Sequence, residues 1–359
     1  MLAALCMQAR NREVHLRLIA TSDIHGNYLP FDYISRQPGR GGLSRVETYV
    51  RTQRKELGRE QVVVLDNGDI LQGQPTAYYY NFIDTTSTHF CAQALNYIGY
   101  DAATIGNHDI ETGHAVYDRW VGECNFPMLG ANVVSTSTGR PYWKPYTIIE
   151  RNGIRIGVLG MITPSIPKWL PNNLWSGLRF DDLVETARRW LPEMRYKEHA
   201  DIIVGLFHSG IGNQNARGRM FENAALQVAR MVPGFDIIFC GHDHREADLR
   251  IANVRGDSVL VLNPAANGMS VAQADIRLTL KRKSIVGKRV SGCLVNVADL
   301  QPDSDFINTF APQAKAVEAF VGEKVGENET ELSTRGAYFG STPFTDFIHE
   351  LQMLSLIHI

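Results

Sequence analysis

The sequence predicts an α/β sandwich in which strands and helices alternate along most of the chain. Short apolar runs, each the length of a strand, are separated by segments whose apolar residues recur at helical spacing. Several of these runs are followed at once by a cluster of Asp, Asn or His residues. The chain has 359 residues, of which 44% are hydrophobic, so it is long enough to bury a large core.

Local patterns predict the elements of the first half. Apolar runs of strand length predict three strands, at residues 14–20, 61–65 and 102–105. Helical spacing predicts two helices, at residues 43–57 and 87–98. Gly99 follows the second helix at a position where a left-handed residue commonly ends a helix. Asn152-Gly153, with apolar runs on both sides, predicts a tight β-hairpin.

The second half continues the alternation. Residues 181–195 predict an amphipathic helix that covers a sheet. Strands begin near Asp201 and Asp236, and residues 248–297 are expected to form consecutive strands that close the second sheet. Within them, Lys281-Arg282-Lys283 predicts a solvated hairpin turn, with a phosphate-contact patch as the alternative. Tyr78-Tyr79-Tyr80 is expected to pack within a helix, although a cofactor contact is the alternative.

Five short polar clusters lie where predicted strands end. They are Asp23-Ile24-His25, Gly68-Asp69, Gly106-Asn107-His108-Asp109, His208-Ser209-Gly210 and Gly241-His242-Asp243-His244. Because alternate residues of a strand share a face, Asp23 and His25 can both turn toward one ion. His242 and His244 repeat this spacing after a later strand.

Together the clusters supply enough metal-binding side chains for two ions. Two ions about 3.5–4 Å apart can share one carboxylate, and Asp69 is the natural candidate for that bridge. A nitrogen and oxygen set without thiolate favours Mn, Fe, Co or Zn over a sulfur-bound structural zinc. Taken singly, each Asp or Asn is more commonly a turn former or a helix cap, and each His a structural residue. The joint appearance of all five clusters favours the metal site.

In this order, the clusters resemble the five blocks of the calcineurin-like metallophosphoesterases. Asp66-Asn67-Gly68-Asp69 followed by Gln72-Gly73-Gln74-Pro75 is similar to the second block of the 5'-nucleotidase and 2',3'-cyclic-nucleotide phosphodiesterase branch. Leu191-Pro192-Glu193-Met194-Arg195 resembles the cyclic-phosphodiesterase members of that branch. The resemblance implies a two-sheet αββα sandwich, followed by a linker helix and the start of a second domain.

The resemblance also implies roles for individual residues. One ion would be held by Asp23, His25, Asp69 and His244, and the other by Asp69, Asn107, His208 and His242. His108 matches the histidine that stabilises the transition state while the metal ions activate water. Glu111 falls where the carboxylate that orients this histidine is expected, and Asp109 is the alternative.

The implied function is that of a metal-dependent phosphoric ester hydrolase acting on nucleotides. Cyclic-phosphodiesterase and 3'-nucleotidase members carry His at the position of His244, so we expect a 2',3'-cyclic-nucleotide 2'-phosphodiesterase or 3'-nucleotidase. The alternatives are a 5'-nucleotidase or UDP-sugar hydrolase and, outside enzymes, a metal-binding but inactive fragment. The expected partner is a small-molecule nucleotide, because a net charge of −2 and a single tight basic run do not suit a nucleic-acid polymer. No partner protein is evident.

Changes in composition and in the apolar pattern along the sequence predict five segments. We expect a signal-peptide remnant at 1–13, the catalytic domain at 14–300, a linker helix at 301–328, the start of a 5'-nucleotidase-type C-terminal domain at 329–353 and a non-native tail at 354–359. The apolar start is too short to cross a bilayer, so stable membrane insertion is not expected. We expect export to the periplasm or cell surface, with a cytoplasmic location as the alternative. In the branch, the C-terminal domain supplies aromatic residues that stack on the nucleoside.

Overall fold

A computed structural model of the chain describes residues 11–33 and 35–356. In this part of the chain, two six-stranded sheets are accompanied by two small two-stranded sheets and by helices. The mixed α/β architecture with two large sheets is therefore confirmed.

The strands follow one another in chain order. They are β1 (Arg12–Thr21), β2 (Phe31–Asp32), β3 (Gln37–Pro38), β4 (Val62–Asp66), β5 (Ala102–Thr104), β6 (Met128–Leu129), β7 (Val133–Ser135), β8 (Tyr146–Arg151), β9 (Ile154–Ile162), β10 (Leu178–Phe180), β11 (Ile202–His208), β12 (Ile237–Cys240), β13 (Glu246–Ala252), β14 (Ser258–Pro264), β15 (Ser270–Lys281) and β16 (Ser284–Asn296).

The α-helices lie between and after these strands. They are α1 (Leu43–Leu57), α2 (Pro75–Tyr78), α3 (Phe90–Ile98), α4 (Asn107–Glu111), α5 (His114–Glu123), α6 (Ile166–Trp169), α7 (Leu183–Pro192), α8 (Ala225–Met231), α9 (Ser304–Val321) and α10 (Pro343–Leu356). Two π-helical turns extend α2 and α7, at Tyr79–Ile83 and Glu193–Lys197.

Each large sheet has a parallel centre. The first sheet has the order β16-β15-β1-β4-β5-β6, in which β1, β4, β5 and β6 are parallel. The second has the order β13-β14-β12-β11-β9-β8, in which β14, β12, β11 and β9 are parallel. Parallel strands end at the same edge of a sheet, so the residues that follow them are brought side by side.

The side chains of the central strands alternate between two cores. Along β1, Leu16 and Leu18 belong to an apolar cluster shared with the second sheet, whereas Ile19 packs with the helices outside the first sheet. Along β11, Val204 faces the first sheet and Ile203 packs with α7 and α8. Strands buried on both faces explain why these runs are continuously apolar. The layers are therefore helix, sheet, sheet and helix, as expected.

One expectation about the second sheet is wrong. Residues 248–297 do form consecutive strands, but only β13 and β14 join the second sheet. β15 pairs antiparallel with β1, from Arg12 opposite Leu280 to Ala20 opposite Ala272, and β16 follows it in the first sheet. The local pattern of β15 suits either sheet, and its partner β1 lies far away in the sequence, with Ala20 paired to Ala272 and Arg12 to Leu280. Its turn to β16 contains Arg282 and Lys283, which are exposed as predicted.

The predicted helices are present, with shifted ends where a side chain caps the backbone. α1 spans the predicted residues. α3 begins at Phe90, because the side chain of His89 accepts the backbone N–H of Cys91. α7 begins after Asp182, which accepts the N–H groups of Val184 and Glu185.

The chain divides into two compact units, and the division in the sequence falls after Glu318. In the first unit, α9 buries Phe306, Phe310 and Val317 in the helix-side core of the first sheet. The second unit contains α10. Residues 1–10 of the expected signal remnant lie outside the described residues, whereas Arg12 and Glu13 belong to β1. Of the expected tail, residues 354–356 continue α10 and the rest lies outside. No described helix has the length and apolar character needed to span a membrane.

Candidate metal centre and active site

The seven candidate ligands lie at or just after the carboxyl ends of five parallel strands. From the first sheet, Asp23 and His25 follow β1, Asp69 follows β4 and Asn107 follows β5. From the second sheet, His208 ends β11, and His242 and His244 follow β12. The structure brings these loop ends together, in two groups of potential ligands.

The inner cluster consists of Asp69, His208 and His242, whose ligand atoms lie within 4.8 Å of one another. His208 Nε2 lies 3.1 Å from Asp69 Oδ2 and 3.0 Å from Asn107 Oδ1. His208 Nδ1 lies 2.7 Å from the backbone oxygen of Asn67, to which it donates. This bond fixes the tautomer and turns Nε2 toward the carboxylate and amide oxygens, as in histidines that bind metals.

The outer cluster consists of Asp23, His25 and His244. His25 Nε2 lies 2.9 Å from His244 Nε2, and His244 Nε2 lies 3.3 Å from Asp23 Oδ1. His25 Nδ1 lies 3.2 Å from the backbone oxygen of Gln72, so its Nε2 also points inward. The outer cluster is more open, since the side chain of His244 is 49% exposed.

Asp69 acts electrostatically on both clusters. Burial alone would raise the pKa of Asp69, but His208 and other nearby histidines hold it below its usual range. Burial lowers the pKa of His25, and Asp69 opposes this more strongly than Asp23 does. Asp69 therefore interacts with histidines of both clusters, and its backbone oxygen accepts the N–H of His25 at 3.0 Å.

The donor set fits divalent metal ions. Asp23 and Asp69 are almost completely buried, and buried carboxylates are costly unless a cation compensates them. In the outer cluster two ring nitrogens lie close together, and in the inner cluster a ring nitrogen faces a carboxylate and an amide oxygen, arrangements that a shared cation would stabilise. The described ligands are imidazole, carboxylate and amide groups without thiolate, which suits Mn, Fe, Co or Zn.

The backbone at these ligands is held in the left-handed region. The φ angles are 52° at Asp23, 50° at His25, 55° at Asp69, 71° at His242 and 52° at His244. Left-handed φ is uncommon for residues other than glycine, and it persists only where the surrounding structure enforces it. Such strain commonly marks functional sites.

Glycines in the clusters allow the loops to approach closely. A Cβ atom at Gly106 would lie 2.1 Å from Asp69 Oδ1, and one at Gly241 would lie 1.9 Å from Ser22 Oγ. Either contact would be a steric clash, so a side chain at these positions would displace Asp69 or the segment before Asp23. The glycines belong to the site because of packing, not because they carry chemistry.

His108 lies at the edge of the site with its own carboxylate. His108 Nδ1 is 2.5 Å from Glu111 Oε2, one helical turn along α4. The backbone N–H of His108 donates to Asp69 Oδ1 at 2.8 Å. The ring of His108 also lies 5.5 Å from that of His25, edge to face. Of its two ring nitrogens, Nδ1 is the one that faces Glu111.

Asp109 does not orient His108. Its carboxylate is fully buried and accepts four backbone N–H groups, from Asp69, Ile70, Leu71 and Gly106, at 2.7–3.0 Å. Both oxygens are therefore used to join the loop after β4 to the loop after β5. The alternative role given to Asp109 from the sequence is wrong, because its bonds point into the backbone of the site.

Two further residues contact the inner cluster and were missed from the sequence. Glu222 Oε1 lies 3.0 Å from His242 Nε2, and the indole of Trp169 stacks on the His242 ring with centroids 5.5 Å apart. Trp169 ends α6 and Glu222 lies in the loop between β11 and α8. Neither carries a local signal, because both approach His242 only through the folding of distant segments.

Comparison with known proteins matches this geometry to a family. The family model described as calcineurin-like phosphoesterase matches residues 16–246, which include all seven candidate ligands. The chain belongs to the calcineurin-like phosphoesterase family. Members of this family use a dinuclear metal site, for which the inner and outer clusters offer two ligand groups.

This calcineurin-like phosphoesterase is similar to several curated proteins. It is 31% identical to the trifunctional nucleotide phosphoesterase protein YfkN of Bacillus subtilis over 90% of the chain and 22% of that protein. It is 33% identical to a 2',3'-cyclic-nucleotide 2'-phosphodiesterase/3'-nucleotidase of Yersinia enterocolitica, over 66% of the chain and 37% of that protein. A 5'-nucleotidase of Vibrio cholerae is 29% identical over 63% of the chain and 40% of its own length.

A solved structure agrees with these matches. The crystal structure of YfkN from Bacillus subtilis superposes with a TM-score of 0.77 and 28% identity, over 87% of this chain and all of the crystallised chain. The chain spans from about a fifth to two fifths of the length of the three curated relatives. The predicted membership of the family and the predicted fold are both confirmed.

Proposed function

We propose that this calcineurin-like phosphoesterase hydrolyses phosphate esters of nucleotides with the help of two divalent metal ions. The observation that carries the proposal is the convergence of the two clusters, which the contact of the His25 N–H with the Asp69 backbone oxygen joins, together with the His108–Glu111 pair, whose His108 N–H donates to Asp69. The relatives described above are named as nucleotide phosphoesterases, which supports nucleotides as the substrate class.

The proposed ligand sets share one carboxylate. We assign one ion to Asp23, His25, Asp69 and His244, and the other to Asp69, Asn107, His208 and His242. This division follows the inner and outer clusters, and Asn107 Oδ1 faces His208 Nε2. Asp69 belongs to the inner cluster, and its backbone oxygen accepts the N–H of His25 in the outer cluster at 3.0 Å. Bound ions would polarise the phosphoryl oxygens and lower the pKa of a water molecule.

The remaining chemistry belongs to side chains of this chain. Glu111 accepts a hydrogen bond from His108 Nδ1 and so holds the ring in place. His108 Nε2 then donates to a phosphoryl oxygen or to the departing ester oxygen, where negative charge develops. Asp109 holds the loop that carries His108 next to the loop that carries Asp69, because it accepts the backbone N–H groups of both Asp69 and Gly106.

Within nucleotides, we propose 2',3'-cyclic nucleotides and 3'-nucleotides as substrates. His244 is the feature that supports this choice, together with the name of the relative from Yersinia enterocolitica. The rival activity is that of a 5'-nucleotidase, which the relative from Vibrio cholerae supports.

The test compares four substrates with the purified chain and manganese. We expect hydrolysis of bis-p-nitrophenyl phosphate, 2',3'-cyclic AMP and 3'-AMP that is lost with a chelator and restored by metal. Release of phosphate from 5'-AMP but not from 3'-AMP would instead identify a 5'-nucleotidase. A folded, metal-loaded protein that hydrolyses none of the four would be an inactive metal-binding fragment.

We also propose that the protein acts outside the cytoplasm. The support is the apolar start of the chain, whose first ten residues lie outside the described part. Fractionation of cells that express the protein tests this, and recovery in the cytoplasmic fraction alone would contradict it.

A further inference from the structure

A cavity of about 310 Å³ opens beside the candidate catalytic pair. Its lining includes His108, Glu111 and Gln72. It also includes the neighbouring rings of Tyr78 and Phe82, which we call the aromatic wall. The volume is at the lower end of the range of about 300–1,000 Å³ that is typical of small-molecule sites. The cavity therefore has the size of a subsite for one part of a substrate whose phosphate lies at the clusters.

The aromatic wall is exposed although its rings are large. Tyr78 is 52% exposed and Phe82 is 47% exposed, and their ring centroids are 5.3 Å apart. By contrast, Tyr80 is buried and Tyr79 packs against the core, so helix packing accounts for these two members of the tyrosine run. Adjacent exposed aromatic rings in a cavity provide a surface on which a planar ring can stack.

A chain of hydrogen bonds that begins at Asn81, between Tyr78 and Phe82 in the sequence, connects the aromatic wall to Asp69 of the inner cluster. Asn81 Nδ2 donates to the backbone oxygen of Leu71 at 2.7 Å, and the N–H of Leu71 donates to Asp109, which also binds Asp69. Asn81 Oδ1 accepts from His89 Nε2 at 2.9 Å, since His89 Nδ1 already accepts the N–H of Cys91. The backbone forms a π-helical turn at Tyr79–Ile83, which contains Phe82, and such turns are frequent at functional sites.

The charged side chains that line the cavity do not favour a phosphate group there, in addition to the phosphate at the clusters. None of the described residues that line it is lysine or arginine, and Glu111 contributes a carboxylate. An anionic group would be repelled there, whereas a neutral aromatic ring would gain stacking on Tyr78 and Phe82. Gln72, an exposed residue, also lines the cavity and has a side-chain amide that can hydrogen-bond.

We propose that this cavity, which we call the base subsite, receives the nucleobase of the substrate, with Tyr78 and Phe82 as its stacking wall. The inference rests on the proposed nucleotide function. It gives the first compact unit a base contact of its own, in addition to any contact from a C-terminal domain.

Binding can be tested without turnover. We would titrate the metal-loaded chain with 2-aminopurine riboside, whose fluorescence is quenched when the base stacks. Phe82→Leu, which keeps an apolar side chain but removes the ring, should weaken binding about tenfold, and Tyr78→Leu should act similarly. Phe82→Tyr should bind nearly as the parent does. Tyr196→Leu is the matched control, since Tyr196 is exposed but lines a different cavity. Equal binding by the parent and both leucine variants would overturn the base subsite.

Turnover separates this inference from the proposed function. With 3'-AMP, Phe82→Leu should raise KM about tenfold and leave kcat nearly unchanged, whereas KM for ribose 3-phosphate, which has no base, should stay the same. A parent that hydrolyses 3'-AMP with variants whose KM is unchanged would refute the base subsite alone. A parent without any phosphoesterase activity would refute the proposed function, and the riboside titration would still decide on the subsite.

Discussion

The inner and outer clusters have similar ligands but different surroundings. In the inner cluster, His208 is fully buried and its tautomer is set by the backbone oxygen of Asn67. In the outer cluster, nearly half of the His244 side chain is open to solvent. A ligand that is already oriented loses less conformational freedom when it binds an ion, so we expect the inner cluster to bind more tightly.

Asp69 is the point at which the two clusters depend on each other. Asp69→Ala should remove both ions and abolish turnover, because neither cluster keeps its full set of ligands. Metal content per folded chain, measured by mass spectrometry after dialysis, checks this. The exposed Asp248 provides a matched control, and Asp248→Ala should keep two ions. Full metal content in Asp69→Ala would contradict the bridge assignment.

Replacing His244, the exposed ligand of the outer cluster, tests whether the two clusters bind their ions separately. His244→Ala should lower the manganese content from two ions to about one per chain, because the inner ligands stay intact. His114→Ala should have no effect, as His114 pairs with Asp118 outside the clusters. Loss of both ions in His244→Ala would show that the clusters do not fill separately.

His108 touches the site without belonging to either cluster. His108→Ala should keep two ions and lower kcat by about a hundredfold or more, since it removes a donor to the transition state. Glu111→Gln should have a smaller effect in the same direction, because the ring stays but is held less firmly. The readouts are kcat with bis-p-nitrophenyl phosphate and metal content. Lost metal in His108→Ala would contradict the separation of its role from the clusters.

The smallest effect concerns Asp66, a buried acid beneath the clusters that is not proposed as a ligand. Burial raises its pKa from 3.8 to about 7. A raised pKa in the folded state means that its stabilising contribution is complete below pH 3.8 and is lost as pH rises through 7. The metal-free protein should therefore lose up to about 1.4 kcal/mol of unfolding free energy per pH unit in this window.

Asp66→Asn removes this titration. Denaturant unfolding of the metal-free variant between pH 5 and pH 7.5 should show a flatter pH dependence than the parent, whereas Asp248→Asn should not change it. Parallel pH profiles for the parent and Asp66→Asn would contradict the raised pKa.

Local sequence patterns predicted most helices and strands of the fold but not every strand pairing. α1 and the strands before Asp23 and Asp69 could be predicted because apolar periodicity is a local property. The placement of β15 beside β1 could not, since the same alternation of buried residues serves either sheet.

In the site, too, residues that belong to local sequence clusters could be predicted, whereas contacts between distant segments could not. The seven candidate ligands were found because each lies in a short cluster after a strand, and the structure brings these clusters together. Asp109, the alternative to Glu111 as the orienting carboxylate, instead accepts four backbone N–H groups, which carry no sequence signal. Trp169 reaches His242 only through folding, and Tyr78 could not be told apart from its buried neighbour Tyr80.

Anomalous diffraction from crystals grown with manganese tests the account most directly. We predict two peaks about 3.5–4 Å apart, one between Asp23, His25 and His244 and the other beside His208 and His242, with Asp69 contacting both. A single peak, or peaks that Asp69 does not touch, would contradict the proposed dinuclear centre.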